Sequence, residues 1–124
     1  MKLNFSIIVP VYNRPNEIDA LLESLTKQHF SDDFEVLIIE DGSKIAAENI
    51  VKKYQSQLNV HYFFKENSGA GPSRNYGMQR ATGNYFIILD SDVLLPKTYL
   101  AEVQKGLVHR FTDAFGGPDA AHDS

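Results

Sequence analysis

Apolar residues recur along this chain in two alternating rhythms. Short, mostly apolar runs, "SIIVPV" (6–11), "FEVLIIE" (34–40), "VHYFF" (60–64) and the start of "YFIILDSDVLL" (85–95), read as strands buried on both faces, the pattern of a parallel sheet. Between the first two lies "PNEIDALLESLTKQ" (15–28), where Ile18, Leu21, Leu22 and Leu25 follow the i, i+3, i+4, i+7 spacing of one helical face. Pro15 suits its first turn, where a missing N–H costs nothing. The pattern predicts a second helix over about 45–57, with Ala46, Ile50 and Tyr54 on one side, and a short third from Pro72 to near Gly83, a natural helix stop. A last helix runs from Pro96 to about His109. Strands separated by helices imply an α/β fold: a mostly parallel sheet with helices on both faces.

Such sheets bind ligands at the carboxyl ends of their strands. The segments expected there, "YNRP", "DGS", "ENSGAGPSRN" and "DSD", are all polar. The last raises a physical problem, because an interior strand should not end in two carboxylates. If it stays extended, Asp90 and Asp92 point to one face. At roughly 6 Å and an effective dielectric of about 20 their repulsion is about 3 kcal/mol, which a divalent cation or well-placed donors would neutralise. The alternative is a solvated turn in which Asp90 or Ser91 caps the following helix. Tyr12 offers a ring to stack on a planar ligand and Asn13 an amide for its edge, or else core packing and a cap. Asp41 could accept from the N–H of a base, or close an ordinary Asp-Gly-Ser turn. Arg74, in the first turn of a helix after a glycine-rich loop, suits a phosphate or a base carbonyl. Pro72 rules out both the Gly-x-Gly-x-x-Gly fingerprint and a P-loop.

Composition narrows the choices. At 124 residues the chain is one domain at most. A formal charge of −4 with no Lys/Arg run lacks the electrostatic footprint of a nucleic-acid binder. The absence of cysteine excludes disulfides, thiolate zinc sites and a Cys nucleophile, and fits a cytoplasmic origin. No apolar run approaches the roughly 20 residues of a membrane span. "MKLNFSIIVPV" is a first strand rather than a signal peptide, being short, interrupted by Asn4 and Ser6 and stopped by Pro10. The scattered histidines form no ligand-spaced pair.

Taken in order, "VPVYNRP", "EDGS", "NSGAGPSRNYGMQRATGNY" and "ILDSDV" resemble the nucleotide-binding half of glycosyltransferase family 2, over essentially the whole chain. The resemblance implies a Rossmann-like GT-A fold and transfer, with inversion, of a sugar from a nucleotide-diphosphate sugar, a UDP-sugar first of all, to a glycan or lipid-linked acceptor. It implies Mg2+ or Mn2+ as cofactor. By motif Pro10 and Tyr12 fall at the base, Asp41 accepts from the base edge, Arg74 lies near base or phosphates, Asp90 faces ribose or metal, and Asp92 is the principal metal ligand. Val93 stands where many relatives are acidic. On this reading residues 1–110 are the donor-binding half and 111–124, with "GGPD", the start of an acceptor half cut short. The general base is then expected beyond Ser124, which makes the chain an inactive fragment prone to self-association through a truncated edge. The longer protein would be cytoplasmic, at the inner face of the membrane. Two other classes compete: a nucleotide-binding module without turnover, and a sugar-phosphate nucleotidyltransferase. The latter would want a glycine-rich basic loop directly after the first strand, which "YNRPNE" does not supply. A phospho-acceptor signalling domain lacks an acidic pair after that strand.

Overall fold

The computed structural model describes residues 4–112, with side-chain environments to Leu107. Strands β1 (Phe5–Val11), β2 (Phe34–Asp41), β3 (Val60–Lys65) and β4 (Tyr85–Ile88) alternate with helices α1 (Pro15–Thr26), α2 (Glu48–Tyr54), α3 (Ala70–Arg80) and α4 (Tyr99–Thr112). All pairings are parallel and the strand order is β3-β2-β1-β4. The α/β class, the parallel sheet and helices on both faces are therefore as expected.

The larger core lies on one face. Ile7, Val9 and Val11 of β1, Val36 and Ile38 of β2 and Ile87 of β4 meet Ile18, Leu21, Leu22 and Leu25 of α1, Val51 and Tyr54 of α2, and Leu100, Val103 and Leu107 of α4. The four α1 residues are the stripe read from the sequence, and all are buried. On the other face Ile8, Leu37 and Ile39 lie under α3, with Tyr76 and Met78 packed against them. A glycine in α3 lets the helix descend: a Cβ on Gly77 would come within 2.6 Å of Ile8 Cγ2. No helix among the described residues is long and apolar enough to cross a membrane.

Four expectations need correction. The strand beginning at Tyr85 ends at Ile88, so the aspartates lie beyond it and strand alternation does not place them. The second helix starts at Glu48, and its inward side is Ala47, Val51 and Tyr54, with Ala46 exposed. Its expected first turn is diverted because the N–H groups of Lys44, Ile45 and Ala47 donate to side chains of Asn13 and Glu40. The third helix starts at Ala70, two residues before Pro72, because a proline in a first turn gives up no helical hydrogen bond. The last helix begins at Tyr99, after a turn closed by Tyr99 N–H donating to Pro96 O at 3.1 Å. Residues 113–124, with "GGPD" and Asp113, Asp119 and Asp123, lie outside the described residues.

At the amino ends of the strands, Glu35 is buried and accepts from Ser6 Oγ and Thr82 N, each at 2.6 Å. That tie joins β1, β2 and the entry to β4 at the end of the sheet opposite the polar loops.

The close approach at Gly77 gives a paired expectation. Gly77→Ala should destabilise by about 1–3 kcal/mol, the usual cost of an overpacked site. Gly71→Ala, in the first turn of the same helix with nothing within 4 Å of an added Cβ, should be neutral or stabilise by up to about 1 kcal/mol. Urea unfolding of both variants checks it, and equal effects would contradict the packing described.

Candidate functional site

From β1 the chain steps to β2 and β3 in one direction, whereas β4 lies on β1's other side. The switch point of the sheet therefore falls between β1 and β4, where a crevice at the strand ends is expected. Strand lengths widen it. β4 pairs with β1 only from Phe5 to Ile8, and after the Leu89 N–H bond to Ile8 O, 3.0 Å, the two part company. β1 continues alone with β2 through Val11. Pro10 faces the opening on one side and Asp90, Ser91 and Asp92 face it on the other, around a cavity of about 340 Å³ that Arg14, Glu17, Ala70 and Arg74 also line.

The ends of β1, β2 and β3 are bound together by a buried polar network. Glu40, wholly inaccessible, accepts from Ala47 N–H and Tyr62 Oη–H, each at 2.8 Å, and from the Ser43 hydroxyl. Ser43 Oγ in turn accepts from Asn13 N–H at 2.7 Å, and Asn13 Oδ1 caps the N–H groups of Lys44 and Ile45 at 2.8 and 3.1 Å. Asn13 has φ 54°, a left-handed conformation that asparagine tolerates better than most residues. The turn leaves its neighbour Tyr12 half exposed, at 50%, on the rim of a second cavity of about 150 Å³. Burial and the Glu40 carboxylate both push the Tyr62 hydroxyl well above its usual range.

Asp41 borders this second cavity with Pro10, Val11, Tyr12, Ala70 and Ser73. Its Oδ1 accepts from Lys65 Nζ and Ser68 N–H, both at 2.8 Å, and its Oδ2 from Gly69 N–H at 2.9 Å and Asn67 Nδ2 at 3.4 Å. A base N–H would therefore share an oxygen already engaged. Burial pushes the carboxyl up, but the Lys65 ammonium and the two backbone donors outweigh it and hold Asp41 below the usual carboxylate range. Gly42 (φ 71°) is needed where the loops touch, since its Cβ would meet Asn67 N at 2.6 Å. Ser73 Oγ is fully buried beside the cavity without a hydrogen-bond partner among the described residues.

The structure thus brings the six residues read from the sequence to two adjoining cavities. Pro10 borders both, Tyr12 and Asp41 one, Arg74, Asp90 and Asp92 the other. Sequence reasoning missed Arg14, Glu17, Lys65 and Asn67. Arg14 was in plain view inside "YNRP", and Lys65 is the last residue of β3, but Glu17 looked like any acidic residue in a first helical turn. Asp90 and Asp92 are exposed and offer hard oxygen donors. No group of three or more His, Asp or Glu among the described residues could hold a metal alone. That donor set fits Mg2+ or Mn2+, which often take one or two carboxylates and complete their shell with substrate phosphates.

The sequence model described as Glycosyl transferase family 2 matches residues 6–123. The chain belongs to glycosyl transferase family 2. TarS, a poly(ribitol-phosphate) beta-N-acetylglucosaminyltransferase of Staphylococcus aureus, is 37% identical over 103 residues, which are 81% of this chain and 18% of that protein. The glycosyltransferase GlyA of Streptococcus pneumoniae is 31% identical over 87% of this chain and 16% of its own length. Among solved structures, S. aureus TarS 1-349 in complex with UDP superposes with a TM-score of 0.81 at 34% identity, over 88% of this chain and 33% of that one. The mannosyltransferase PcManGT of Pyrobaculum calidifontis, in complex with GDP-Man and Mn2+, gives 0.79 at 26% identity over 86% and 33%. The fold is that of these family 2 enzymes, and the chain spans a third or less of each.

A pH dependence follows from Asp41. A carboxyl whose folded value lies below its unfolded value, about 3.9, adds stability that is fully present above the unfolded value and is lost as pH falls below it and through the folded one. Asp41→Asn should therefore cost most near neutral pH, with the gap to wild type closing below about pH 4. Urea unfolding of both proteins at a series of pH values checks this; a gap that stays constant would contradict it.

Proposed function

We propose that the chain binds a nucleotide-diphosphate sugar, with UDP-sugar the first candidate, and is the donor-binding part of an inverting, Mg2+- or Mn2+-dependent glycosyltransferase. The observation that carries this reading is that the two cavities adjoin, sharing Pro10 and Ala70 in their linings. One has the aromatic rim and fixed carboxylate suited to a base. The other sets two arginines beside two aspartates, as a metal-bridged diphosphate requires. The chemistries of the ligands in the neighbouring complexes, UDP, UDP-GlcNAc and GDP-Man with Mn2+, support the assignment.

On this reading Tyr12 stacks on the base and Asp41, with Asn67, shapes its edge. Arg74 and Arg14 approach the phosphates, and Asp90 and Asp92 hold the ion. A divalent ion bound there supplies Lewis acidity for the charge that grows on the diphosphate as the sugar departs. Inversion also needs a base to take the acceptor proton. Among the cavity carboxylates Asp41 is held by Lys65 and Glu17 by Ser91 and Arg14, and Asp90 and Asp92 would be the groups that hold the ion. On this reading the base is not one of these cavity carboxylates, and the sugar passes to a glycan or lipid-linked acceptor.

Calorimetry with UDP tests this. Wild type should bind more tightly with Mn2+ than in EDTA, and Asp92→Asn should lose that gain, about 10-fold or more. Tyr12→Ala should cost about 1–3 kcal/mol with or without metal, as loss of a base-stacking ring does. A folded wild-type protein that binds no UDP, or one that gains nothing from Mn2+, would overturn the corresponding part of the proposal.

A further inference from the structure

The Asp90-Ser91-Asp92 turn stands beyond the sheet. Its last strand-like anchor is the Leu89 bond to Ile8, and its one backbone closure, Val93 N–H to Asp90 O, is long at 3.4 Å. Asp90 and Asp92 themselves make no side-chain hydrogen bond among the described residues. What ties the trio to the frame is Ser91, whose Oγ–H donates to Glu17 Oε1 at 2.8 Å across 74 positions of sequence.

Glu17 is well placed to be an anchor. It sits in the first turn of α1, where the helix dipole favours a carboxylate, next to the wholly buried Ile18. Its other oxygen lies 3.8 Å from Arg14 Nε. The same helix and the residues just after it hold the chain further on. Ser24 Oγ accepts from Leu95 N–H at 3.4 Å, Gln28 spans Pro96 O and Leu100 N–H at 2.7 and 3.0 Å, and His29 N–H donates to Lys97 O at 2.8 Å. The segment after β4 is thus laid along α1 from Ser91 to Leu100, with the Glu17–Ser91 bond at the end nearest the aspartates.

We infer that Glu17 is a positioning residue, which fixes the Asp90-Ser91-Asp92 turn through the Ser91 hydroxyl and so presents both aspartates before any ligand arrives. The inference rests on the reading of that cavity as a diphosphate and metal site. Its physical content is preorganisation: a turn held in its bound geometry spends less binding energy on ordering. Residues that orient ligands are worth about 10–100-fold in metal affinity. Glu17 acts here as a hydrogen-bond acceptor, not as a ligand, because one oxygen serves Ser91 and the other faces Arg14.

The test is UDP calorimetry on the full chain, in Mn2+ and in EDTA, beside hydrogen–deuterium exchange across residues 89–95. Glu17→Ala and Ser91→Ala should each lower UDP affinity in Mn2+ about 10-fold and leave affinity in EDTA unchanged. The double variant should be no worse than either single one. Glu17→Gln, which keeps the acceptor oxygen and drops the charge, should restore the Mn2+ gain. A Gln variant as impaired as the Ala variant would overturn the inference in favour of a charge or ligand role. An equal loss in EDTA would overturn it in favour of general structural damage. Should wild type show no Mn2+ gain, the metal reading of the cavity falls, and exchange still decides the positioning role. Faster exchange at 89–95 in both Ala variants but not in Glu17→Gln supports it, and unchanged exchange overturns it.

Discussion

A carboxylate with no access to water governs the upper end of this sheet. Burying Glu40 costs several kcal/mol unless donors surround the charge. The protein meets that demand with a hydroxyl from Ser43, the backbone N–H of Ala47 and the phenol of Tyr62, drawn from the loop after β2, the start of α2 and β3. Because each donor must come to Glu40, the loop has little freedom. Ser43, so placed, receives Asn13 N–H, and Asn13 then caps the same loop. Tyr12 and Asp41, the neighbours of Asn13 and Glu40 in the chain, inherit their positions from this closed circuit.

The parts of the fold that depend on apolar period were legible in the sequence. The α1 stripe Ile18, Leu21, Leu22, Leu25 is buried as its spacing required, and the three long strands follow their apolar runs. What misled was continuity of hydrophobicity past a change of structure. "YFIILDSDVLL" looks like one element, yet Leu89 already leaves the sheet, and Val93 and Leu95 pack on the core from a turn and a loop. Hydrophobicity reports burial and not pairing. The start of α2 was misplaced for a complementary reason: helical spacing around Ala46 was outweighed by side-chain acceptors about 30 residues distant in sequence. A local pattern cannot register such partners.

The site was legible as a set of residues and less so as a circuit. Pro10, Tyr12, Asp41, Arg74, Asp90 and Asp92 do gather at two adjoining cavities, because strand ends of a parallel sheet converge whatever the loops contain. Asp41 differs from the simple expectation in being saturated by Lys65, Ser68, Gly69 and Asn67. One clue to a circuit was available: Glu40 is a charged residue that directly follows the apolar run of a buried strand, and such a residue must have partners.

The two cavities differ in how they are held, and the difference matches the ligand parts assigned to them. A flat base, on the proposed reading, needs a fixed rim, and the rim there is built from loops locked by buried carboxylates, Glu40 and Asp41, whose donors are backbone amides and the side chains of Ser43, Tyr62, Lys65 and Asn67. A diphosphate carries its own charge and needs countercharges that do not collapse on one another beforehand. There the arginines are exposed, the aspartates have no side-chain hydrogen bond among the described residues, and the side chain that ties the turn to α1 is the serine between them. Were Asp90 and Asp92 saturated as Asp41 is, they would be rigid but would have little to offer a cation. A turn with bound middle and open ends gives both fixed geometry and available charge. β4 allows it by stopping at Ile88, one residue before the chain must leave the sheet and two before the first aspartate.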